Sequence, residues 1–306
     1  MRISTSQMQG RAVVAMLDNQ ADVSKTQQQV ATGKRILSPS DDAYGSTLIL
    51  TLNKSIDTHV QYGENANVVE AQITLEESTL THTIDVMQRI KELAVQASNP
   101  TLLPGDRSKI AVEVRELLDE TLSTANTVDA TSGFIFSGFN VDTAPFTSTE
   151  VPVGSGLFTY GYTGDLGQRN VQIGETRFIA AGDPGQSVFM DIPVTAGGTQ
   201  NVFETIEQFA IDLETGVPNT DIEADLDLAL NHFSGFRTQT GSRLNAIDSH
   251  RTLNDDIIFQ GEKALSSVED LDYAEAVSRL EQQIAILEAS QQSFAMIQNL
   301  SLFNYL

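Results

Sequence analysis

Apolar residues recur at three- and four-residue intervals toward both ends of the chain and give way to short alternating runs in between. From Thr5 to Val30 a mostly polar segment places Val13, Met16, Gln20, Val23, Gln27 and Val30 at that interval, which predicts a helix with a thin stripe. Two glutamines in the stripe leave such a helix marginal on its own. Gly33 marks its C-terminal stop. From Ala66 to Ala97 the stripe is fuller: Ala66, Val69, Ile73, Glu76, Leu80, Thr83, Met87, Ile90, Ala94 and Ala97. Asn99-Pro100 ends this helix and Pro104-Gly105 turns the chain. Asp106 is then the expected cap of a helix carrying Ile110, Val114, Leu118, Leu122, Ala125 and Val128 inward, antiparallel to the one before it.

After Gly133 the pattern changes. More than half of the chain's 21 glycines and half of its 8 prolines lie between Gly138 and Gly216. Alternation puts Phe158, Tyr160 and Tyr162 on one strand face, and Val188, Met190 and Ile192 on another. This reads as a separately folded β-rich insert over 140–202. Helical spacing resumes near Val202, and Ile222, Leu226, Leu230 and Phe233 share a face. The helix beginning at Arg237 is interrupted near Ser266-Ser267, where Ser267 and Asp270 have capping-box spacing. A last stripe runs through Val277, Leu280, Ile284, Leu287, Gln291 and Phe294 to Ile297, Leu300 and Phe303. The fold class is therefore mainly α with an inserted β domain, a long antiparallel bundle built from both termini. Three regions are expected: terminal coiled-coil arms (1–38 with 268–306), a helical-bundle domain (39–139 with 203–267), and the β-rich outer insert.

Charge bears on how the arms meet. Residues 1–35 carry a net +3 and residues 262–306 a net −5, so opposite charge steers one toward the other. Two helices bury only one seam, and the remaining apolar surface calls for neighbouring copies. Uncovered, the arms of an isolated subunit are expected to be disordered. The whole chain has a formal charge of −23, which makes nucleic acid and anionic lipid poor partners. No apolar run reaches the roughly 18 residues that span a bilayer. The first twenty residues lack the continuous apolar core of a cleaved signal peptide. Cysteine is absent, so disulfides and thiolate metal sites are excluded.

The densest cluster of special residues is "TGKRILSPSDDAYG", Thr32 to Gly45. A phosphate loop fails there, because Gln28 stands where the first glycine belongs and Arg35 where Ser or Thr should follow Lys34. A structural joint accounts for every residue instead. Ser38 is the expected N-cap, Pro39 the first helical residue, and Asp41 and Asp42 sit on the positive end of the helix dipole. Gly33 and Arg35 complete that joint on the side of the preceding helix. The acidic run "NTDIEADLDLAL" fails as a calcium loop, since Leu226 replaces the required glycine and His232 the final glutamate. His59, His82, His232 and His250 have no metal-ligand spacing and are expected as exposed or half-exposed helical residues. No nucleophile elbow is present. Neither catalytic residues nor a cofactor or metal site are expected. The aromatic face of Phe158, Tyr160 and Tyr162 fits core better than a sugar site.

Several stretches resemble the flagellin superfamily, on the branch that joins hook to filament: "QQQVATGKRILSPSDDAYG", "MQRIKELAVQASN", "GFIFSGFNVDTAPF", "TGSRLNAIDS" and the terminal "LSSVEDLDYAEAVSRLEQQIAILEASQQSFAMIQNLSLFNYL". Together they span somewhat over half the chain. "RIKELAVQASN" is shared with filament flagellins, whereas "GFIFSGFNVDTAPF" and "SLFNYL" favour the junction branch. The resemblance implies a structural, self-assembling subunit of the flagellum, exported through the flagellar channel to the cell exterior. It implies a ring of identical copies between a neighbouring hook-associated protein and filament flagellin, and an export chaperone on the C-terminal helix. Val13, Met16, Val23 and Val30 are then expected against Leu280, Ile284, Leu287 and Phe294. Ile297, Leu300, Phe303 and Leu306 are expected to insert toward the axis. The alternatives are a filament flagellin proper, or an adhesive, glycan-binding role for the outer insert.

Overall fold

The structure is a computed structural model that describes residues 5–152, 156–216 and 221–299. Among the described residues six α-helices predominate: α1 (Thr5–Thr32), α2 (Ala43–Ala97), α3 (Pro104–Ala125), α4 (Val202–Thr215), α5 (Ile222–Glu269) and α6 (Tyr273–Asn299). The expected class, helices from both termini with a strand-bearing insert between them, is the one observed. None of the described helices is long and apolar enough to cross a membrane. The chain divides into two compact units, a terminal one (Met1–His59 with Asp256–Leu306) and a central one (Val60–Asp255). Helices α2 and α5 contribute to both.

In the central unit, α2 and α5 supply the long apolar stripes. Ala66, Val69 and Ile73 of α2 and Ile247 of α5 gather around Ile173, Ile179 and Ala181 of the insert. Further along, Leu80, Ile84, Met87 and Ile90 pack with α3, α4 and the first turns of α5, where Ile222, Leu226 and Phe233 are buried as the periodicity predicts. One helix end and one histidine differ from expectation, and α4 starts where its spacing resumes. Helix α3 begins at Pro104 with Leu103 as N-cap, so Asp106 lies in its first turn and favours the positive end of the dipole from there. Helix α4 is capped by Asn201, whose Oδ1 accepts from the Glu204 amide at 2.6 Å, and stops at left-handed Gly216. His59 is buried and not exposed.

The insert carries three antiparallel two-stranded ribbons: β1 (Phe146–Glu150) with β2 (Phe158–Tyr162), β3 (Asn170–Gln172) with β4 (Phe178–Ala180), and β5 (Ile192–Pro193) with β6 (Thr199–Gln200). In the first, Phe146 faces Tyr162 and Ser148 faces Tyr160. Val188 and Met190 lie on a π-helical turn, Gln186–Met190, and not on a strand. Isolated ribbons this small cannot sustain a core, and these do not. Phe146 and Tyr160 join Phe136, Phe189, Phe203 and Phe233 in the same apolar cluster as the helices, with ring centroids 5.1 to 6.0 Å apart. Separate folding of the insert is therefore not what its packing shows. Tyr160 is 8% exposed and its hydroxyl lies 3.4 Å from Glu207 Oε2. The aromatic face is core, with only Phe158 at its rim exposed.

Candidate assembly interface

The terminal unit holds both arms. Helices α1 and α6 lie against each other in antiparallel fashion: Asn19 Nδ2 donates to Ser290 Oγ at 3.2 Å near one end, and Leu271 N donates to the Gly33 carbonyl at 2.9 Å at the other. The arms, expected to be disordered without partners, thus pair within one chain. The face of α1 that turns inward carries Val13, Met16, Asn19, Val23, Thr26, Gln29 and Val30. On α6 it carries Ala276, Leu280, Gln283, Leu287, Ser290 and Phe294. Both series keep the heptad-type interval.

Burial divides the stripe drawn from spacing. Leu280, Leu287 and Phe294 face inward, but their alternating partners are Gln283 and Ser290, while Ile284 and Gln291 turn outward. On α1 the inward polar residues are Asn19 and Thr26, and Gln20 and Gln27 are exposed. Gln283 Oε1 is buried and finds no donor. Outside the seam the arms show Val14, Leu17, Val277, Ile284, Ile286 and Met296 to solvent. Leu300, Phe303 and Leu306 lie outside the described residues, as does the side chain of Ile297.

The joint connects the arms to α2 and α5. Helix α1 stops at Gly33, which has φ +72° and whose amide donates to the Gln29 carbonyl at 2.8 Å. Lys34 then forms a single antiparallel bridge with Asp270, and Arg35 N donates to the Glu269 carbonyl at 2.7 Å. The Arg35 guanidinium donates twice to the Val268 carbonyl, at 2.9 and 3.2 Å, satisfying an orphan acceptor at the C-terminal end of α5. Lys34 pairs with Glu269. Gln29 Nε2 donates to the Arg35 carbonyl at 2.7 Å and ties the loop back to α1.

Ser38 and Pro39 belong to a turn, not to a helix start. Helix α2 begins at Ala43, and its cap is Asp42, whose Oδ1 accepts from Gly45 N at 2.8 Å. Asp41 Oδ2 instead accepts from the Leu37 and Ser38 amides at 3.2 and 3.1 Å, closing the turn, while Oδ1 takes Lys25 Nζ at 2.6 Å. The Lys25 hydrogen bond, with help from those amides, holds the Asp41 carboxyl below its ordinary value against an opposing desolvation cost. Gly45 is buried, and the close approach of Ile36 leaves no room for a side chain: a Cβ there would lie 2.5 Å from Ile36 Cδ1. The second break also moves. Helix α5 runs on to Glu269, past the expected Ser267 cap, and Asp272 caps α6 by accepting from the Ala274 and Glu275 amides.

The bacterial flagellin N-terminal helical region matches residues 3–141. Flagellar hook-associated protein 3 of Escherichia coli is 28% identical, over 99% of both chains. That of Salmonella typhimurium is 27% identical, again over 99% of both. Among solved structures, the flagellar hook-associated protein 3 of Legionella pneumophila superposes with a TM-score of 0.66 at 19% identity, covering 72% of this chain and 98% of that one. Over residues 3–141 the chain is therefore similar to the flagellin N-terminal region, and along its whole length it is similar to flagellar hook-associated protein 3.

Proposed function

We propose that this chain is a structural, self-assembling junction subunit of the bacterial flagellum, connecting the hook region to the filament. Similarity over the full length to hook-associated protein 3 supports the class of protein. The observation that carries the mechanism is the outward apolar set on the paired arms, Val14 and Leu17 on α1 with Val277, Ile284, Ile286 and Met296 on α6. One chain covers the seam between its arms; identical copies stacked side by side cover the rest.

In this reading the arms (1–38 with 268–306) form an inner layer and the bundle (39–139 with 203–267) a middle one. The insert (140–202) lies outermost, and the joint at Gly33, Arg35, Ser38, Pro39, Asp41 and Asp42 redirects the chain between the first two. The pairing surface comprises Val13, Met16, Val23, Val30, Leu280, Leu287 and Phe294, extended by Ile284 and by Ile297, Leu300, Phe303 and Leu306. The partners are further copies in a ring, a neighbouring hook-associated protein on one side and filament flagellin on the other. Before assembly an export chaperone occupies the C-terminal helix, and the subunit leaves the cell through the flagellar export apparatus. The role is structural, with no reaction assigned. An adhesive role for the insert is disfavoured because Tyr160 and Tyr162 are spent in the core.

Deleting residues 295–306 tests the assignment. The shortened chain should fail to incorporate at hook tips, leaving bare hooks, while its central unit stays folded. Filaments built on the truncated protein would contradict it. Purified full-length chain that polymerises unaided into long filaments would move the assignment to a filament flagellin.

A further inference from the structure

The apolar stripe of α2 is interrupted at Glu76, which is 2% exposed. Ile73 on one side belongs to the cluster around β3 and β4, and Leu80 on the other to the phenylalanine cluster. Asp183, in the segment between β4 and the π-helical turn, is buried beside it and donates its backbone N–H to Glu76 Oε1 at 3.1 Å. The Asp183 carboxylate is itself held by Arg243 of α5, through two hydrogen bonds of 2.7 and 2.9 Å, and by Gln168 Nε2 at 2.8 Å. Glu76 Oε2 is buried and meets no donor. It faces Gly182, beside a void of about 30 Å³ that Gln72, Asp129, Ile135 and Arg169 also line.

Charge does not balance if both acids ionise. Two carboxyls share one guanidinium, and both of its engaged N–H groups point at Asp183. An ionised Glu76 would put a second negative charge in a buried site with a single backbone donor, which burial penalises heavily unless the ion is compensated. The charged groups facing it are Asp183, Arg243 from α5, and Asp129 and Arg169 across the void. Glu77 and Arg237 pair with each other, 3.5 Å apart, on the more exposed side. Burial first, and then the charge of Asp183, pushes the Glu76 carboxyl from its ordinary 4.5 up to about 8, with Arg243 pulling the other way.

We propose that Glu76 is an uncharged carboxylic acid in the neutral folded protein, a proton-dependent clamp fastening the Asp183 segment of the insert to α2 and α5. The proton belongs on Oε2, since Oε1 already accepts from Asp183 N. In that form the acid is a donor as well as an acceptor, and the void beside it has room for one water to receive the bond. Alkaline pH removes the proton and sets two like charges side by side at the contact.

The test compares urea unfolding of the full chain with that of Glu76→Gln from pH 5 to 9. A folded-state value raised above the unfolded one makes stability complete below pH 4.5 and drains it as pH climbs to about 8. Across that window the unfolding constant of the wild type should rise relative to Glu76→Gln by about tenfold per pH unit, then level off. Parallel curves would overturn the proposal. Carbon-13 labelling of the glutamate carboxyls gives an independent reading. One resonance of the folded wild type should titrate near pH 8, and Asp183→Asn should move it to lower pH by removing the repulsion and freeing Arg243. If every glutamate titrates near 4.5, the clamp does not hold a proton. This second reading stands even if Glu76→Gln fails to fold.

Discussion

A Cβ at position 33 would lie 2.8 Å from the phenol oxygen of Tyr273, the first residue of α6. The joint between α1 and α2 is thus also the place where the N-terminal arm meets the start of the C-terminal one. Gly33→Ala should destabilise the terminal unit by about 1–2 kcal/mol, the cost of a left-handed conformation for a residue with a Cβ. Tyr273 is exposed and its ring tip can swing away, so adding Tyr273→Phe should recover little. Gly33→Pro should be worse, because it also removes the amide bond to the Gln29 carbonyl. Urea unfolding of the three variants checks the order.

Ile284 and Leu287 stand about one turn apart on α6, Ile284 exposed at the edge of the seam with α1 and Leu287 half-buried in it. Ile284→Glu should leave the helix content and melting of the isolated subunit unchanged while blocking incorporation at hook tips. Leu287→Glu should lower the stability of the terminal unit by about 1–2 kcal/mol, a half-buried apolar side chain having been replaced by a charge. Circular dichroism melts with a motility assay separate the two. Equal effects of both changes on the isolated subunit would remove the distinction between seam and outer face.

Asp41 links the turn at Leu37 and Ser38 to Lys25 of α1. Its carboxyl titrates below the ordinary 3.8, so its contribution is present above pH 3.8 and disappears as pH falls through the lower folded value. Asp41→Asn should therefore be less stable than the wild type at neutral pH and indistinguishable from it in strong acid. Lys25→Met should shift the Asp41 titration upward, which a labelled-aspartate NMR titration would register.

Arg115 of α3 bridges Glu207 of α4 at 2.7 Å and Glu214 at 3.1 Å. Glu207 is 4% exposed, so losing its cation strands a buried carboxylate. Arg115→Ala should cost about 3 kcal/mol in the central unit, and Arg115→Lys part of that, because one ammonium cannot serve both acids in the same geometry. Glu214→Ala, at the exposed end, should cost under about 1 kcal/mol. Denaturation midpoints of the three variants give the comparison.

Period and punctuation in the sequence determine the helices, the stop at Gly33, the turn after Asn99 and the joint character of residues 32–45. These depend on local backbone chemistry, which a single stretch of chain carries with it. Caps were legible only in type. Asp42 and not Ser38 begins α2, and Asp272 and not Ser267 begins α6, because each loop first completes its bonds across the joint: Arg35 to Glu269 and Leu271 to Gly33.

Tertiary structure alone decided which side of each arm faces in. An interval of three or four admits two adjacent lines on one helix, and only the partner helix selects between Ile284 and Gln283 or between Gln20 and Asn19. It likewise decided that the insert shares its phenylalanine core with the helices. Short ribbons must borrow their burial from elsewhere, and no local pattern says from where. Glu76 was visible from the start as a charged interruption in an apolar stripe. Its meaning came only when folding set Asp183 and Arg243, more than a hundred residues away in sequence, around one carboxyl.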